Sequence, residues 1–119
     1  MIGVDIVKNE RIEKAIEKFG ERFLVRIYTD KELDYCNSQE ARVPCLAARW
    51  ACKEAVLKAF YMEFGVLLRF KEIEVLGDRG KPARVIIHRE EAKEFLKGRE
   101  LLVSLSHERD YSVAVACIK

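Results

Sequence analysis

Glu54 and Lys58 stand four residues apart in a stretch, Pro44-Cys-Leu-Ala-Ala-Arg-Trp-Ala-Cys-Lys-Glu-Ala-Val-Leu-Lys-Ala-Phe60, whose only other charges are Arg49 and Lys53. An ion carried into such an apolar setting must find a partner or change its protonation state. Two readings stand open. The pair is an i,i+4 ion pair worth about a few tenths of a kcal/mol, or Glu54 is a carboxylate facing a cleft or a metal. Asp5 poses the same question near the N-terminus. Aspartate packs poorly in strands and prefers to bond local backbone, yet it sits inside Ile2-Gly-Val-Asp-Ile-Val7. It is a charge recruited for a purpose, or an edge-strand residue facing water. His107, at a strand end before Glu-Arg-Asp110, is a surface residue or a ligand.

The elements that must position these residues follow from periodicity. At about 100° per residue, the stretch from Pro44 to Phe60 puts Leu46, Trp50 and Leu57 in one stripe and small apolar residues over most of the rest, so it reads as a buried helix. Residues 2 to 7 read as a strand with Ile2, Val4 and Ile6 on one face and Gly3, Asp5 and Val7 on the other. From Asn9 to about Tyr28 a helical projection sorts Ile12, Ile16, Phe19 and Phe23 into an apolar sector. Glu10, Glu13, Glu17 and Glu21 form an acidic one, and Lys8, Arg11, Lys14, Lys18, Arg22 and Arg26 a basic one. Lys14, Lys18 and Arg22 follow one another at like-charge spacing and repel. The stripe is either a solvated face or a surface that docks an acidic partner. Gly20 is placed to end or kink this helix.

Thr29 and Asp30 are expected to cap a short helix through Tyr35, and a polar loop from Asn37 to Pro44 leads into the central helix. Strands are expected at Phe70 to Leu76 and Ala83 to His88, joined through the turn Gly77-Asp-Arg-Gly-Lys-Pro82. A helix at Glu90 to Lys97 has Gly98 as its C′ residue, and strands at Leu101 to Ser106 and Tyr111 to Ile118 close the chain. The fold class is therefore α+β, a mainly antiparallel sheet packed on a long buried central helix.

At 119 residues the chain suits one domain, residues 1–119. Its 35% charged residues balance to a formal +2, too little to indicate a nucleic-acid protein. No apolar run is long enough for a membrane span and the start lacks a signal peptide's regions, so the cytoplasm is expected. Cys36, Cys45, Cys52 and Cys117 lack C-x-x-C spacing and are expected as small buried hydrophobes rather than zinc ligands or disulfide partners.

Five segments in order, Gly3-Val-Asp-Ile-Val7, Arg49-Trp-Ala-Cys-Lys-Glu-Ala-Val-Leu-Lys58, Phe70-Lys-Glu-Ile-Glu-Val75, Gly80-Lys-Pro82 and Val103-Ser-Leu-Ser-His107, resemble the holo-acyl-carrier-protein synthases, the small bacterial 4′-phosphopantetheinyl transferases. The resemblance covers almost the whole chain. It implies a magnesium-dependent transfer of phosphopantetheine from coenzyme A to a serine of apo-acyl carrier protein, releasing adenosine 3′,5′-bisphosphate and supporting fatty acid biosynthesis. It implies Asp5 and Glu54 as the Mg²⁺ ligands, and Lys58, with Lys53, as stabilisers of phosphate charge. Arg49, His107 and Gly65 are implied at the coenzyme A, and Arg11, Lys14, Lys18, Arg22 and Arg26 at the carrier. Glu54 is the expected general base, with His107 the second candidate. The implied assembly is a homotrimer with active sites between subunits.

Two positions depart from the family pattern. Phe60-Tyr-Met-Glu-Phe-Gly65 replaces a glycine-rich loop, setting Tyr61, Met62 and Glu63 where backbone N–H groups would approach phosphate. Leu102 stands where many members have histidine. A transferase for peptidyl carrier domains is the other enzymatic reading. A catalytically silent carrier-binding module is the non-enzymatic one, with retention of Asp5, Glu54 and Lys58 against it.

Overall fold

Strand β1 (Ile2–Lys8) turns its small and polar residues inward and its large apolar ones out. Gly3 and Val7 are buried, while Ile2, Val4 and Ile6 are 68, 55 and 63% exposed. The structure is a computed structural model describing residues 1–77 and 80–119. Asp78 and Arg79 of the expected turn lie outside the described residues. β1 pairs antiparallel with the last strand, Tyr111–Ile118, which pairs antiparallel with Leu101–His107, so the sheet runs first, last, penultimate strand.

The inner face of this sheet packs on one helix, Arg42–Phe64. Its burial follows from its composition. Leu46, Ala47, Ala51, Cys52, Ala55, Val56, Ala59 and Phe60 are fully buried, and the small residues let strands approach on several sides. Pro44 falls in the first turn, where its missing N–H costs nothing. The helix runs one turn further than expected, to Phe64, and ends at Gly65, whose φ of 71° is left-handed.

Counting helices in chain order, α1 (Asn9–Phe19) and α2 (Glu21–Ile27) are the two halves of the sorted segment, broken at Gly20 with φ 57°. α3 (Asp30–Asn37) begins with a capping box, Thr29 Oγ1 accepting from the Glu32 amide and Glu32 accepting from the Thr29 amide. α4 is the central helix. A 3-10 turn at Phe70–Glu72 precedes β2 (Ile73–Leu76), where a strand from Phe70 was expected. β2 forms an antiparallel hairpin with β3 (Arg84–Ile87). α5 (Glu90–Phe95) caps at Leu96, so Gly98 lies two residues past the cap rather than at C′. β4 is Leu101–His107 and β5 Tyr111–Ile118.

The cysteine expectation is corrected. Cys36 in α3 and Cys45 in α4 form a disulfide, their Cα atoms 5.5 Å apart, because the loop between the helices folds the two chain segments against each other. Spacing of nine residues carries no signal of this. Cys52 and Cys117 are free, and burial, aided by the Glu32 charge, pushes the Cys52 thiol up to about 12. No described helix is long and apolar enough to cross a membrane. With Tyr111, Val115 and Leu102, the outward residues of β1 make an exposed apolar face on the three-stranded sheet.

Candidate active site

β1 crosses α4 where Gly3 lies against Ala55 and Ala59, and this crossing brings the two carboxylates of interest to one place. Lys58 Nζ donates to Asp5 Oδ1 at 2.9 Å and to the Val4 carbonyl at 3.2 Å. The lysine thus pairs with the strand, not with Glu54 one turn before it. Asp5 Oδ2 is buried and has no partner among the described residues, an orphaned acceptor of the kind a bound group satisfies. Glu54 is held above the usual carboxylate range, first by burial and then by the Asp5 charge, with Lys58 and Arg11 pulling the other way. Arg11, exposed on α1, is therefore near enough for its charge to be felt at Glu54.

Among the described residues no group of three or more His, Cys, Asp or Glu could hold a metal. Two mutually repelling carboxylates, one with a free buried oxygen, still suit a hard cation that keeps waters and takes its other positions from phosphate.

A cleft of about 590 Å³ lies elsewhere, between the α3–α4 connection, the β2–β3 hairpin and β4. It is lined by Tyr35, Arg49, Gly80, Pro82 and His107, among others, and not by Asp5, Glu54 or Lys58. Arg49 is buried; Nη1 lies 3.5 Å from Cys45 Sγ, Nη2 donates to the Gly77 carbonyl at 3.3 Å, and Nε has no partner among the described residues. Burial pulls its guanidinium down, against the Glu32 charge. His107, the last residue of β4, is exposed at the mouth.

Lys53 departs from expectation. Its ammonium is fully buried and committed to Glu32 at 2.7 Å and to the carbonyls of Phe70 and Ile73 at 2.9 and 2.6 Å. Those contacts use all three donors, so it cannot reach a phosphate. Glu32 also accepts from the Val75 amide at 2.7 Å, and the assembly clamps β2 to α3 and α4. Sequence reasoning missed Glu32 as the partner, although Thr29-x-x-Glu32 is a readable capping signature.

The expected phosphate loop is likewise absent. Tyr61, Met62 and Glu63 belong to α4, Glu63 is paired with Arg99 at 2.8 Å, and the Gly65 amide is taken by the Tyr61 carbonyl. On α1 and α2, Arg11, Lys14, Lys18, Arg22 and Arg26 are all exposed. Lys14 pairs with Glu10 at 2.8 Å, and Gly20 separates the stripe into two segments.

The family model of the 4'-phosphopantetheinyl transferase superfamily matches residues 1–116. A holo-[acyl-carrier-protein] synthase of Aquifex aeolicus is 68% identical over 119 residues, covering 100% of this chain and 98% of that one. One from Leptospira biflexa is 45% identical, covering 96 and 91%. Among solved structures, the Helicobacter pylori holo-[acyl-carrier-protein] synthase in complex with coenzyme A superposes with a TM-score of 0.82 at 29% identity, covering 100% of both chains. The Chronobacterium ammoniagenes coenzyme A complex gives 0.83 at 29% identity, covering 99 and 95%.

Proposed function

The chain belongs to the 4′-phosphopantetheinyl transferase superfamily, and from that premise we propose that it transfers 4′-phosphopantetheine from coenzyme A to a serine hydroxyl of apo-acyl carrier protein, in support of fatty acid biosynthesis. The observation that carries this reading is Asp5 with one oxygen on Lys58, the other buried and unpartnered, beside Glu54 whose carboxyl is pushed up. Asp5 and Glu54 would hold Mg²⁺. Bound there, the ion would supply positive charge against the developing phosphate charge; in the reaction the serine oxygen bonds to phosphorus and the bond to adenosine 3′,5′-bisphosphate breaks.

The chain's own residues do the rest. Glu54, beside Asp5 and partly buried, takes the serine proton. Lys58, half-exposed and held on Asp5, places an ammonium where the leaving phosphate gains charge and can donate a proton to it. Arg49 and His107 hold the nucleotide from the second cleft. The second Asp5 oxygen, buried and without a partner among the described residues, is what lets this centre take a cation.

The reading includes a homotrimer. In one chain the carboxylate cluster and the Arg49 cleft are separate, and a substrate touching both is served if neighbouring subunits bring them together. The exposed face of Ile2, Val4, Ile6 and Val115 supports such an assembly. Residues 1–119 act as a single domain, with the cytoplasm as the setting. Arg11, Lys14, Lys18, Arg22 and Arg26 form the carrier-facing stripe.

Chromatography of adenosine 3′,5′-bisphosphate, released from coenzyme A in the presence of apo-carrier and magnesium, tests the reaction. Release that requires the apo-carrier is expected. No release, with carrier binding intact, would favour the silent carrier-binding module, a reading to which the helical Tyr61–Glu63 segment lends some weight.

A further inference from the structure

Arg49 is 6% exposed, and among the described residues its guanidinium meets one carbonyl, that of Gly77 at 3.3 Å from Nη2, and otherwise weak acceptors. Its plane rests over the Tyr35 ring, with Cζ 4.5 Å from the centroid, and Nη1 lies against Cys45 Sγ at 3.5 Å. A ring face attracts a cation without consuming its N–H groups, and a disulfide sulfur is a weak acceptor. The two neighbours therefore restrain the side chain without tying its N–H groups to strong acceptors; Nη2 alone donates to a carbonyl, that of Gly77, and Nε, itself buried, has no partner among the described residues.

Both neighbours depend on one covalent link. Tyr35 belongs to α3 and directly precedes Cys36; Cys45 belongs to α4, one turn before Arg49. The Cys36–Cys45 bond fixes the ring on one helix relative to the arginine on the other. We propose that Tyr35 and the Cys36–Cys45 disulfide are positioning elements that hold the Arg49 guanidinium aimed into the cleft, ready for the phosphate groups of the nucleotide. A long side chain free to rotate loses that freedom when it binds an anion; one already restrained loses less, so its ligand binds more tightly. The proposal rests on the transferase reading, in which coenzyme A is the nucleotide.

The test combines steady-state transfer kinetics with calorimetric titration of coenzyme A, on the full chain. Tyr35→Leu should raise both KM and Kd for coenzyme A about fivefold, the scale of a lost partly buried cation–π contact. kcat and the KM for the apo-carrier should stay within about twofold of wild type. Tyr35→Phe, which keeps the ring, should bind as wild type does. Cys36→Ser should weaken coenzyme A binding in the same direction, and wild type reduced with a phosphine, its thiols counted by labelling, should match it. Thermal midpoints accompany each variant, because a merely structural role lowers the midpoint and the active fraction while leaving Kd unchanged. Wild-type Kd in either Tyr35→Leu or Cys36→Ser would overturn the proposal, as would Tyr35→Phe binding as weakly as Tyr35→Leu. Should Tyr35→Leu fail to fold, reduced wild type decides the matter alone. Wild type that binds coenzyme A but transfers nothing would defeat the transferase reading instead, so the two failures are distinguishable.

Discussion

A methyl group placed on Gly3 would stand 2.1 Å from the carbonyl oxygen of Ala55. Asp5 and Glu54 reach one another only because β1 crosses α4 at this separation, so the glycine is a condition of the site as much as of the core. Gly3→Ala must push backbone from backbone. It should destabilise the protein by about 1–3 kcal/mol or more, the usual range for overpacking, and lower transfer in whatever fraction stays folded. A denaturant midpoint equal to wild type would show that the crossing has slack.

The buried Lys53–Glu32 pair predicts an asymmetry between single and double replacement. Lys53→Met leaves Glu32 charged and buried, which costs about 3–5 kcal/mol in comparable pairs. Adding Glu32→Gln should recover a substantial part. Folded Lys53→Met should keep its coenzyme A affinity, because the ammonium is committed to Glu32 and two carbonyls. A strong affinity loss in a folded variant would return Lys53 to the binding site.

Glu54 carries a pH dependence of definite sign. Burial and the Asp5 charge raise its carboxyl above the ordinary 4.5, so the folded state holds this proton more tightly than the unfolded chain. The stability it contributes is fully present below 4.5 and is lost as pH rises through its raised value. Without magnesium, Glu54→Gln should therefore be at least as stable as wild type at neutral pH and lose less stability between acid and neutral conditions. Lower stability of the variant at pH 7 in urea titrations would contradict the electrostatic account.

Reversing Arg11 and Arg22 to Glu should raise the KM for the apo-carrier several-fold and flatten the loss of activity with salt, since rim charges govern association. Calorimetric coenzyme A binding should be nearly untouched. Both side chains are exposed, but Gly20 lies between them. If only Arg11→Glu has an effect at low ionic strength, the stripe ends at the helix break.

On the outer sheet face, Val4→Lys with Val115→Glu should leave each chain folded, because neither side chain is buried, while abolishing the proposed trimer and, with it, transfer. Sedimentation velocity reads the assembly. A folded monomer with full transferase activity would contradict a site shared between subunits.

Much of this was legible from residue patterns. Asp5 in an apolar strand and Glu54 on an apolar helix asked for a common explanation, and the structure brings them together. Gly20 announced the break between α1 and α2. What sequence could not give were relations set by tertiary packing. Lys53 looks like its neighbours in the motif, and only the docking of β2 on α3 decides that it is buried against Glu32. Cys36 and Cys45 meet through a loop whose path no spacing encodes. The alternation in Ile2–Val7 identified two faces but not which one meets α4; the small side chain of Gly3, which permits close approach, was the available clue. Helix propensity in Tyr61-Met-Glu63, uninterrupted until Gly65, prevailed over the loop that family likeness suggested.

Intact-mass measurement of an apo-acyl carrier protein incubated with coenzyme A and magnesium tests the central claim most directly. Wild type should convert the carrier to a species heavier by one phosphopantetheine, and a carrier whose acceptor serine is alanine should gain nothing. Asp5→Ala and Glu54→Gln should convert it at least about a hundredfold more slowly, the loss typical of a key electrostatic contact. A carrier whose mass does not change with wild type, or conversion by either variant at the wild-type rate, would contradict the account.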